Sequence, residues 1–334
     1  MSNPPENPEL VCVTGASGGL GRALVGRLAT ESVGIIGLSM HDPGDGVGPF
    51  TRYIREDVAT TAWDRVIDGC STVFHLAAAV NQVPRTASDE QRVFAVNHEA
   101  TARLAAACRE SGAKLVYAST VAVVGPLGTR RPGDGGDREP VTPYARSKWL
   151  SEQAIQWEGE RGLRFVILRF PLLYGPNGRG NMERLLREIG RGRYWPIDGD
   201  GTRKSCLFLD DAAEALLRAW RSQEALRKTF VVAPEEAPTL RQIQRAAYEA
   251  LGRRMPRPHI PRRAALLAAH SLDLCARIMG RRTRIALQVR TLTEAAEYDG
   301  SRFAAATGFR PRTDLSAGLR ETARWLREQS PGVP

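Results

Sequence analysis

Residues 10–21, Leu10-Val11-Cys12-Val13-Thr14-Gly15-Ala16-Ser17-Gly18-Gly19-Leu20-Gly21, join a short apolar run to a glycine-rich turn. The apolar run predicts a buried β-strand, and the residues after the turn begin a helix. In this context Gly15, Gly18 and Gly21 allow the backbone to approach a pyrophosphate, while the N–H groups of the helix point towards it. The stretch therefore predicts a strand, a turn and a helix that bind a dinucleotide.

Similar apolar runs recur over the first half of the chain and alternate with helical segments. The predicted strands are Leu10 to Thr14, Val33 to Leu38, Arg52 to Ile54, Thr72 to Leu76, Lys114 to Ala118 and Phe165 to Arg169. Alternation of this kind favours right-handed βαβ units and a parallel sheet. We therefore predict an α/β fold with a Rossmann-like doubly wound parallel sheet, in which ligands bind at the carboxyl ends of the strands.

The pattern becomes irregular after residue 178. Helices are predicted at about Met182 to Arg191, Asp211 to Arg221, Leu240 to Leu251, Arg262 to Met279 and Leu315 to Arg327, with one strand at Thr229 to Val232 that rejoins the sheet. We therefore divide the chain into a disordered lead over 1–9, a dinucleotide-binding domain over 10–178 that 206–233 rejoins, and a smaller, mostly helical C-terminal substrate-binding lobe over 179–205 and 234–330.

Charge narrows the classes of partner. The net charge is +10, and much of the arginine excess lies between Arg253 and Arg290. Such an excess attracts nucleic acid, a membrane surface or a small phosphorylated substrate. No RNA-binding or DNA-binding motif with interleaved aromatic residues accompanies it, so we expect no nucleic-acid partner.

Cysteine spacing and apolar runs indicate the compartment. The five cysteines show neither paired nor metal-like spacing, and the N-terminus lacks the basic start and apolar stretch of a secretory signal, so we expect a cytoplasmic protein without a metal site. The most apolar stretch, Ala264 to Met279, is interrupted by charged residues and is shorter than the ~20 residues that span a membrane. We expect the helix Arg262 to Met279 to pack within the smaller lobe, with peripheral contact to a membrane as the alternative.

Tyr144 and Lys148 stand four residues apart in Thr142-Pro143-Tyr144-Ala145-Arg146-Ser147-Lys148, a spacing that places a phenol and an ammonium on one helix face. A free phenol titrates near ~10, so it acts as a base at neutral pH only where positive charge stabilises the phenolate. The spacing also occurs in ordinary surface pairs. Here the glycine turn and the hydroxyl pair Ser119-Thr120, which follows a later strand, favour a catalytic pair.

These three pieces, in this order, resemble the extended short-chain dehydrogenase/reductase family, also called the NAD-dependent epimerase/dehydratase family. The stretch from Asp299 to Pro311 also resembles the C-terminal region of that family. The resemblance implies an enzyme of hydride transfer in which Tyr144 exchanges the proton of a substrate hydroxyl. It further implies that Lys148 binds the nicotinamide ribose and that Thr120 binds the reacting oxygen.

The resemblance also implies the cofactor contacts. These are Gly15, Ser17, Gly18, Gly19, Leu20 and Gly21 in the turn, Ser39, Asp57 and Val58 at the adenine end, and Leu76, Ala77, Ala78, Asn97, Ser119, Tyr144, Lys148 and Pro171 along the rest of the cofactor. Ser39 stands where such proteins often carry an Asp that bonds the adenine ribose. Without that carboxylate a 2′-phosphate is not repelled, so the cofactor is predicted as NAD or NADP.

Segments beyond the sheet resemble nucleotide-sugar 4-epimerases and 4-keto-sugar reductases of polysaccharide pathways. The resemblance implies that the substrate contacts are Val80, Thr120, Leu172, Asn181, Met182, Arg203 and Lys204. An anion suits a helix N-terminus flanked by Arg or Lys, which agrees with a bound diphosphate. The alternative is that Asn181 caps its helix and that Arg203 and Lys204 are solvated.

One departure from the family pattern narrows the chemistry. Family members that eliminate water carry an Asp-Glu pair directly after the Thr, where this chain has Val121 and Ala122. We therefore predict a homodimeric nucleotide-sugar 4-epimerase or 4-ketoreductase that uses NAD or NADP. A dehydrogenase or reductase of a sterol-like, lipid-like or secondary-metabolite alcohol or ketone is the first alternative. A non-catalytic NAD(P)-binding protein is the second, and the intact Thr120, Tyr144 and Lys148 argue against it.

Overall fold

A computed structural model describes residues 9–44, 48–80, 86–124, 140, 142–178, 180–199, 201–280, 283 and 285–329. The predicted disordered lead over 1–9 lies outside the described residues except for Glu9, which begins the first strand. The division of the chain into a dinucleotide-binding domain and a smaller lobe stays a prediction.

Parallel strands form the centre of the fold, as the alternation of segments predicts. The strands are β1 (Glu9–Thr14), β2 (Val33–Ser39), β3 (Arg52–Arg55), β4 (Thr72–His75), β5 (Lys114–Thr120), β6 (Phe165–Phe170), β7 (Leu172–Tyr174), β8 (Cys206–Phe208) and β9 (Lys228–Val231). Seven of them form one parallel sheet in the order β3-β2-β1-β4-β5-β6-β9. The strand order reverses between β1 and β4, and ligands of doubly wound sheets bind in the crevice at such a point.

Two features of this topology concern the segment over 206–233. The strand expected near Thr229 does rejoin the sheet, as β9 beside β6. Residues 206–208, however, do not enter the main sheet, because β8 pairs with β7 in a separate two-stranded sheet. Both short strands were absent from the predicted elements, since three residues are too few to show a periodic pattern.

Helices cover both faces of the sheet and form most of the later part of the chain. They are α1 (Gly19–Leu28), α2 (Trp63–Val66), α3 (Ala87–Phe94), α4 (Ala100–Ser111), α5 (Pro143–Glu160), α6 (Asn181–Gly190), α7 (Leu209–Arg221), α8 (Leu240–Ala250), α9 (Arg262–Ile278), α10 (Ile285–Thr293), α11 (Ser301–Thr307) and α12 (Leu315–Gln329). A π-helical turn, Ala95–Glu99, joins α3 to α4, and a 3₁₀ turn, Val121–Val124, follows β5. The helices predicted after residue 178 all form, while α10 and α11 were not predicted.

Alternate residues of the central strands pack into different hydrophobic clusters. Val11 and Val13 belong to a cluster that also includes α1 and α7, while Cys12 belongs to another that includes α4. Side chains alternate between the two faces of a strand, so an uninterrupted apolar run is buried on both sides. A third cluster joins α6, α8 and α12 to β7 and β8, and it packs next to the carboxyl edge of the sheet.

Candidate active site

The glycine turn is too tight for any side chain. Gly15 has a φ of +70°, and a Cβ there would lie 2.8 Å from the backbone N of Ala77. The N–H of Gly15 donates to Leu38 O over 2.7 Å, and the N–H of Gly18 donates to Gly15 O over 2.9 Å. A Cβ on Gly21 would overlap that same carbonyl oxygen of Gly15. The turn therefore brings bare backbone to the crevice between β1 and β4.

The N-terminus of α1 fits an anionic group. Gly18 is the N-cap residue and offers no side-chain hydrogen bond, and the first turn of α1 contains no acidic residue. The amides at Gly19, Leu20 and Gly21 therefore keep the partial positive charge of a helix N-terminus. A pyrophosphate matches this cradle in charge and in the space that the missing side chains leave.

The predicted adenine end is polar and without a carboxylate at the end of β2. The hydroxyls of Ser17 and Ser39 are 2.6 Å apart, so one donates to the other. Asp57 is paired with Arg92, whose Nη2 lies 2.5 Å from the carboxylate, and Val58 beside it is buried. The structure therefore brings Ser17, Ser39 and the glycine turn together at the carboxyl ends of β1 and β2.

Asn97 connects the wall after β4 to the helix that carries Tyr144. Its Oδ1 accepts from the N–H of Ala79 over 2.7 Å, and its Nδ2 donates to Ser147 Oγ over 3.0 Å. Asn97 is buried within the π-helical turn, a local irregularity that often occurs at functional sites. Its amide therefore holds the Leu76 to Val80 segment, with its predicted contacts, against α5.

His75 is a structural residue at the end of β4. Its Nδ1 lies 2.7 Å from Thr14 Oγ1 and its Nε2 lies 2.9 Å from Thr101 Oγ1, so both ring nitrogens are used. Burial, with a smaller contribution from Lys148, lowers the pKa of His75 to about 3. The ring is therefore neutral at physiological pH and does not act as an acid or a base.

The structure places Thr120, Tyr144 and Lys148 together at the carboxyl end of β5. The helix α5 begins at Pro143, with Thr142 as N-cap, so Tyr144 lies in its first turn and Lys148 one turn later. Burial raises the pKa of Tyr144 to about 12, while the nearby hydroxyl of Thr120 acts to lower it. Tyr144 is therefore a protonated phenol at neutral pH, close to the hydroxyl of Thr120.

Lys148 is a buried cation beside this pair. Its Nζ donates to Ala118 O over 2.6 Å and lies 4.1 Å from the centre of the Tyr117 ring. Burial lowers the pKa of Lys148 to about 7, and the nearby carboxylate of Glu152 acts in the opposite direction. The ammonium therefore gains or loses its proton near neutral pH, which is the range where a neighbouring acid or base is most useful.

A buried ion pair under β5 was not predicted. Arg169 donates to both carboxylate oxygens of Glu152, with Nη2 at 2.7 Å and Nε at 3.1 and 3.2 Å, and Ser119 Oγ donates to the same carboxylate. Ser119, predicted to contact the cofactor, therefore directs its hydroxyl to Glu152. Two signals point to the pair: Glu152 follows Lys148 by four residues on the same helix face, and Arg169 interrupts the apolar strand β6.

Pro171 and Leu172 lie at the junction of β6 and β7. Thr120 pairs with Phe170 in the register of β5 and β6, so Pro171 directly follows the neighbour of Thr120. Leu172 pairs with Cys206 in the small sheet. The structure therefore places both predicted contacts next to the end of β5.

The predicted substrate residues on α6 have different environments. Asn181 is the first residue of α6 and is exposed, and Gly180 precedes it as an N-cap without a side-chain hydrogen bond. Asn181 therefore does not cap the helix, and the N-terminus of α6 remains available for an anion. Met182 is buried in the third cluster, and Val80 is exposed at the far end of the β4 wall.

Arg203 and Lys204 contact backbone carbonyls. Arg203 Nη1 donates to Ala237 O over 2.8 Å. Lys204 Nζ donates to Thr291 O over 2.8 Å and to Glu294 O over 2.7 Å, and burial lowers its pKa to about 8, opposed by Glu294. Neither side chain is simply solvated, and their contact with a diphosphate stays a prediction.

The described parts of the chain contain neither a metal-binding cluster nor a helix suited to cross a membrane. Among these residues there is no cluster of His, Cys, Asp or Glu side chains with the geometry of a metal site. In the same residues no helix combines the length and the apolar character that crossing a bilayer requires.

Two characterised proteins resemble this chain in sequence. It is 24% identical to the N-acetyl-alpha-D-glucosaminyl-diphospho-ditrans,octacis-undecaprenol 4-epimerase of Escherichia coli O157:H7, over 79% of this chain and 80% of that protein. It is 28% identical to the ceramide reductase of Caulobacter vibrioides, over 78% of each chain.

A solved structure and a family profile also match this chain. The chain is similar to MoeE5 in complex with UDP-glucuronic acid and NAD, with a TM-score of 0.73 and 26% identity over 96% of this chain and 99% of that one. The predicted Rossmann-like fold is thereby confirmed. A family profile matches residues 11–233, from the glycine turn to the end of β9, and its description names the predicted cofactor NAD. The chain therefore belongs to the NAD dependent epimerase/dehydratase family.

Proposed function

We propose that this protein is an NAD-dependent enzyme that epimerises, or reduces, C4 of a nucleotide-activated sugar. The observation that carries the proposal is the proximity of Thr120, Tyr144 and the buried Lys148 at the carboxyl end of β5. The UDP-sugar complexes of MoeE5 support this class of substrate. The 4-epimerase of Escherichia coli supports epimerisation at C4, although its name gives a sugar that is joined through a diphosphate to a polyprenol.

The glycine turn and the N-terminus of α1 would hold the diphosphate of NAD, with Ser39, Asp57 and Val58 at the adenine end. A bound nicotinamide supplies a hydride acceptor and donor beside Tyr144. Ser39 presents a hydroxyl where a carboxylate would repel a 2′-phosphate, so NADP is not rejected by charge at this position. The wall from Leu76 to Val80 and Pro171 would complete the cofactor site.

Tyr144 would exchange the proton of the substrate hydroxyl through its phenolic oxygen, with Thr120 orienting that oxygen. Because burial raises the pKa of Tyr144 to about 12, the phenol is ready to donate a proton to an oxygen that gains charge. To accept a proton it needs added positive charge nearby, and the ammonium of Lys148 supplies part of it. The residues after Thr120 are Val121 and Ala122, so no acidic pair is present there for the elimination of water.

A lipid-like alcohol or ketone is the second candidate substrate. The predicted diphosphate contacts Arg203 and Lys204 donate to backbone carbonyls, which leaves fewer of their N–H groups for a nucleotide. The ceramide reductase of Caulobacter vibrioides is among the relatives. With this substrate the roles proposed for Thr120, Tyr144 and Lys148 are the same. Only the molecule that carries the reacting oxygen differs.

One experiment distinguishes the epimerase, the sugar reductase and the enzyme that acts on a lipid-like substrate. The purified protein is assayed with a panel of UDP-sugars and UDP-4-keto sugars, with and without added NAD, NADH or NADPH, and with ceramide-like and sterol-like ketones. Interconversion of two UDP-sugars without net change of cofactor supports the epimerase, and stoichiometric oxidation of NADH or NADPH by a 4-keto sugar supports the reductase. Turnover of the lipid ketones alone would overturn the nucleotide-sugar proposal.

A further inference from the structure

The positive charge of this protein is concentrated in one segment. Residues 253–293 contain ten arginines and one aspartate and neither lysine nor glutamate, which amounts to +9 of the net charge of +10. The rest of the chain is therefore nearly neutral. Helices α9 and α10 occupy most of this segment and pack against each other.

The outer face of α9 is apolar. Leu267, Leu274 and Ile278 are exposed by 71%, 57% and 78% of their surface, and their spacing of seven and four residues places them on one stripe. The buried residues of the helix, Ala265 and Ala269 among them, lie on the opposite face. Isolated exposed leucines are common, but three large apolar side chains in one row indicate an interaction surface.

A row of basic residues borders this stripe. Arg263, His270 and Arg277 follow one another at intervals of seven residues, so they form a second line along the same helix. All three are exposed. The outer face of α9, defined here by the apolar row and this basic row, therefore combines the two properties of helices that lie in a membrane interface.

The single acidic residue of the segment lies at the joint between the two helices. Asp273 accepts from Thr283 Oγ1 over 2.6 Å and from the N–H groups of Ile285 and Ala286 over 2.9 and 3.0 Å. These hydrogen bonds lower the pKa of its carboxyl and fix the start of α10, and His270 of the basic row acts in the same direction. The positive charge that the row offers to a partner is therefore supplied by Arg263 and Arg277.

We propose that the outer face of α9 docks on a bilayer that contains anionic phospholipids. The basic row would meet the lipid phosphates, and Leu267, Leu274 and Ile278 would enter the boundary between headgroups and acyl chains. Charge complementarity selects this occupant, because almost the whole positive excess of the chain lies in this segment. The contact is peripheral.

The docking face is connected to the candidate active site through one short segment. Lys204 holds the carbonyls of Thr291 and Glu294 at the end of α10, and the N–H of Tyr298 donates to Ser205 Oγ over 3.0 Å. Tyr298 packs against the valines of the 3₁₀ turn that follows Thr120. A bilayer on α9 would therefore be linked by direct packing to the residues beside the reacting oxygen.

Vesicle flotation tests the proposal with the full chain and its bound cofactor. We expect binding to vesicles of equal parts phosphatidylcholine and phosphatidylglycerol, little binding to phosphatidylcholine alone, and release in high salt. The double variant R263Q/R277Q should bind about 30-fold more weakly, since each basic residue near an anionic surface contributes roughly a factor of five. L274S/I278S should also lose binding, although its charge is unchanged.

The matched control is R241Q/R245Q, which removes the same charge from the exposed side of α8. It should bind vesicles as the unmodified chain does, and all variants should keep the same melting temperature. Absence of vesicle binding by the unmodified chain would overturn the proposal. Equal losses in the control pair would also overturn it, as would α9 variants that convert a dimer to a monomer without any lipid binding, since a second copy would then be the occupant.

Discussion

Lys148 and Lys204 are both buried lysines that donate to backbone carbonyls, yet they belong to different kinds of structure. Lys148 lies one helical turn from Tyr144 and contacts Ala118, at the end of a strand of the main sheet. Lys204 holds the end of α10, nearly ninety residues later in the chain. The same side chain thus serves a reacting group in one region and joins two distant segments in the other. Burial and a carbonyl contact alone do not identify a catalytic lysine.

The largest expected effect is on turnover, in a variant that lacks the phenolic hydroxyl of Tyr144. Tyr144→Phe removes the phenolic proton and should lower turnover by about 10²- to 10⁴-fold, the usual contribution of a positioned acid or base. The affinity for NAD, measured by fluorescence titration, should be largely retained, because Tyr144 is one of many predicted cofactor contacts and the glycine turn is untouched. Tyr194→Phe, in the periphery of the third cluster, removes the same hydroxyl as a control and should leave turnover unaltered. Unaltered turnover in Tyr144→Phe would instead exclude its role in proton transfer.

The second effect concerns the ion pair beneath Lys148. Glu152→Ala leaves the buried guanidinium of Arg169 without its carboxylate, which should lower the free energy of unfolding by about 3–5 kcal/mol. Glu188→Ala breaks an exposed pair with Arg191 and should cost about 0–1 kcal/mol, so it serves as the control. Urea denaturation measures both. Similar losses in the two variants would show that the pair with Arg169 contributes no more than a surface pair.

The surroundings of Lys148 could be predicted from the sequence, whereas those of Lys204 could not. The glycine turn and the Tyr144 and Lys148 pair follow from short contiguous patterns, and the strand order around them follows from the alternation of elements. The contacts of Lys204 with Thr291 and Glu294 have no such pattern, because backbone carbonyls are not encoded by residue type. The strands β7 and β8 were not predicted for the same reason, because their pairing depends on packing beyond the sequence neighbourhood.

A third variant separates the two possible roles of Lys204. Lys204→Met removes two buried hydrogen bonds and should lower the free energy of unfolding by about 1–3 kcal/mol, with KM for a UDP-sugar nearly unchanged. Lys228→Met, at an exposed position of β9, is the control for loss of charge. If instead KM rises tenfold or more while stability is retained, Lys204 binds the diphosphate, as the sequence predicts, and its carbonyl contacts are secondary.

The pH dependence of stability distinguishes the two lysines in one experiment. Burial lowers the pKa of Lys148 from its ordinary 10.5 to about 7 and that of Lys204 to about 8. Above these values the unfolded chain binds more protons than the folded chain, so the free energy of unfolding should rise with pH. Lys114, whose pKa burial also lowers to about 8, acts in the same direction, while the buried thiols, whose pKa values burial raises, act in the opposite direction near pH 9. The difference between the unmodified chain and a single lysine variant, measured between pH 6.5 and 9.5, therefore isolates each lysine.

Each lysine should leave its own onset in this pH profile. In Lys148→Met the rise of the unfolding free energy that starts near pH 7 should be missing. In Lys204→Met the rise that starts near pH 8 should be smaller, and the part that remains belongs to Lys114. Chemical denaturation at closely spaced pH values gives both curves. Parallel curves for the two variants and the unmodified chain would mean that neither ammonium is forced towards neutrality by burial. In that case Lys148 would remain charged throughout, and its support of the Tyr144 phenolate would not weaken as the pH rises through 7.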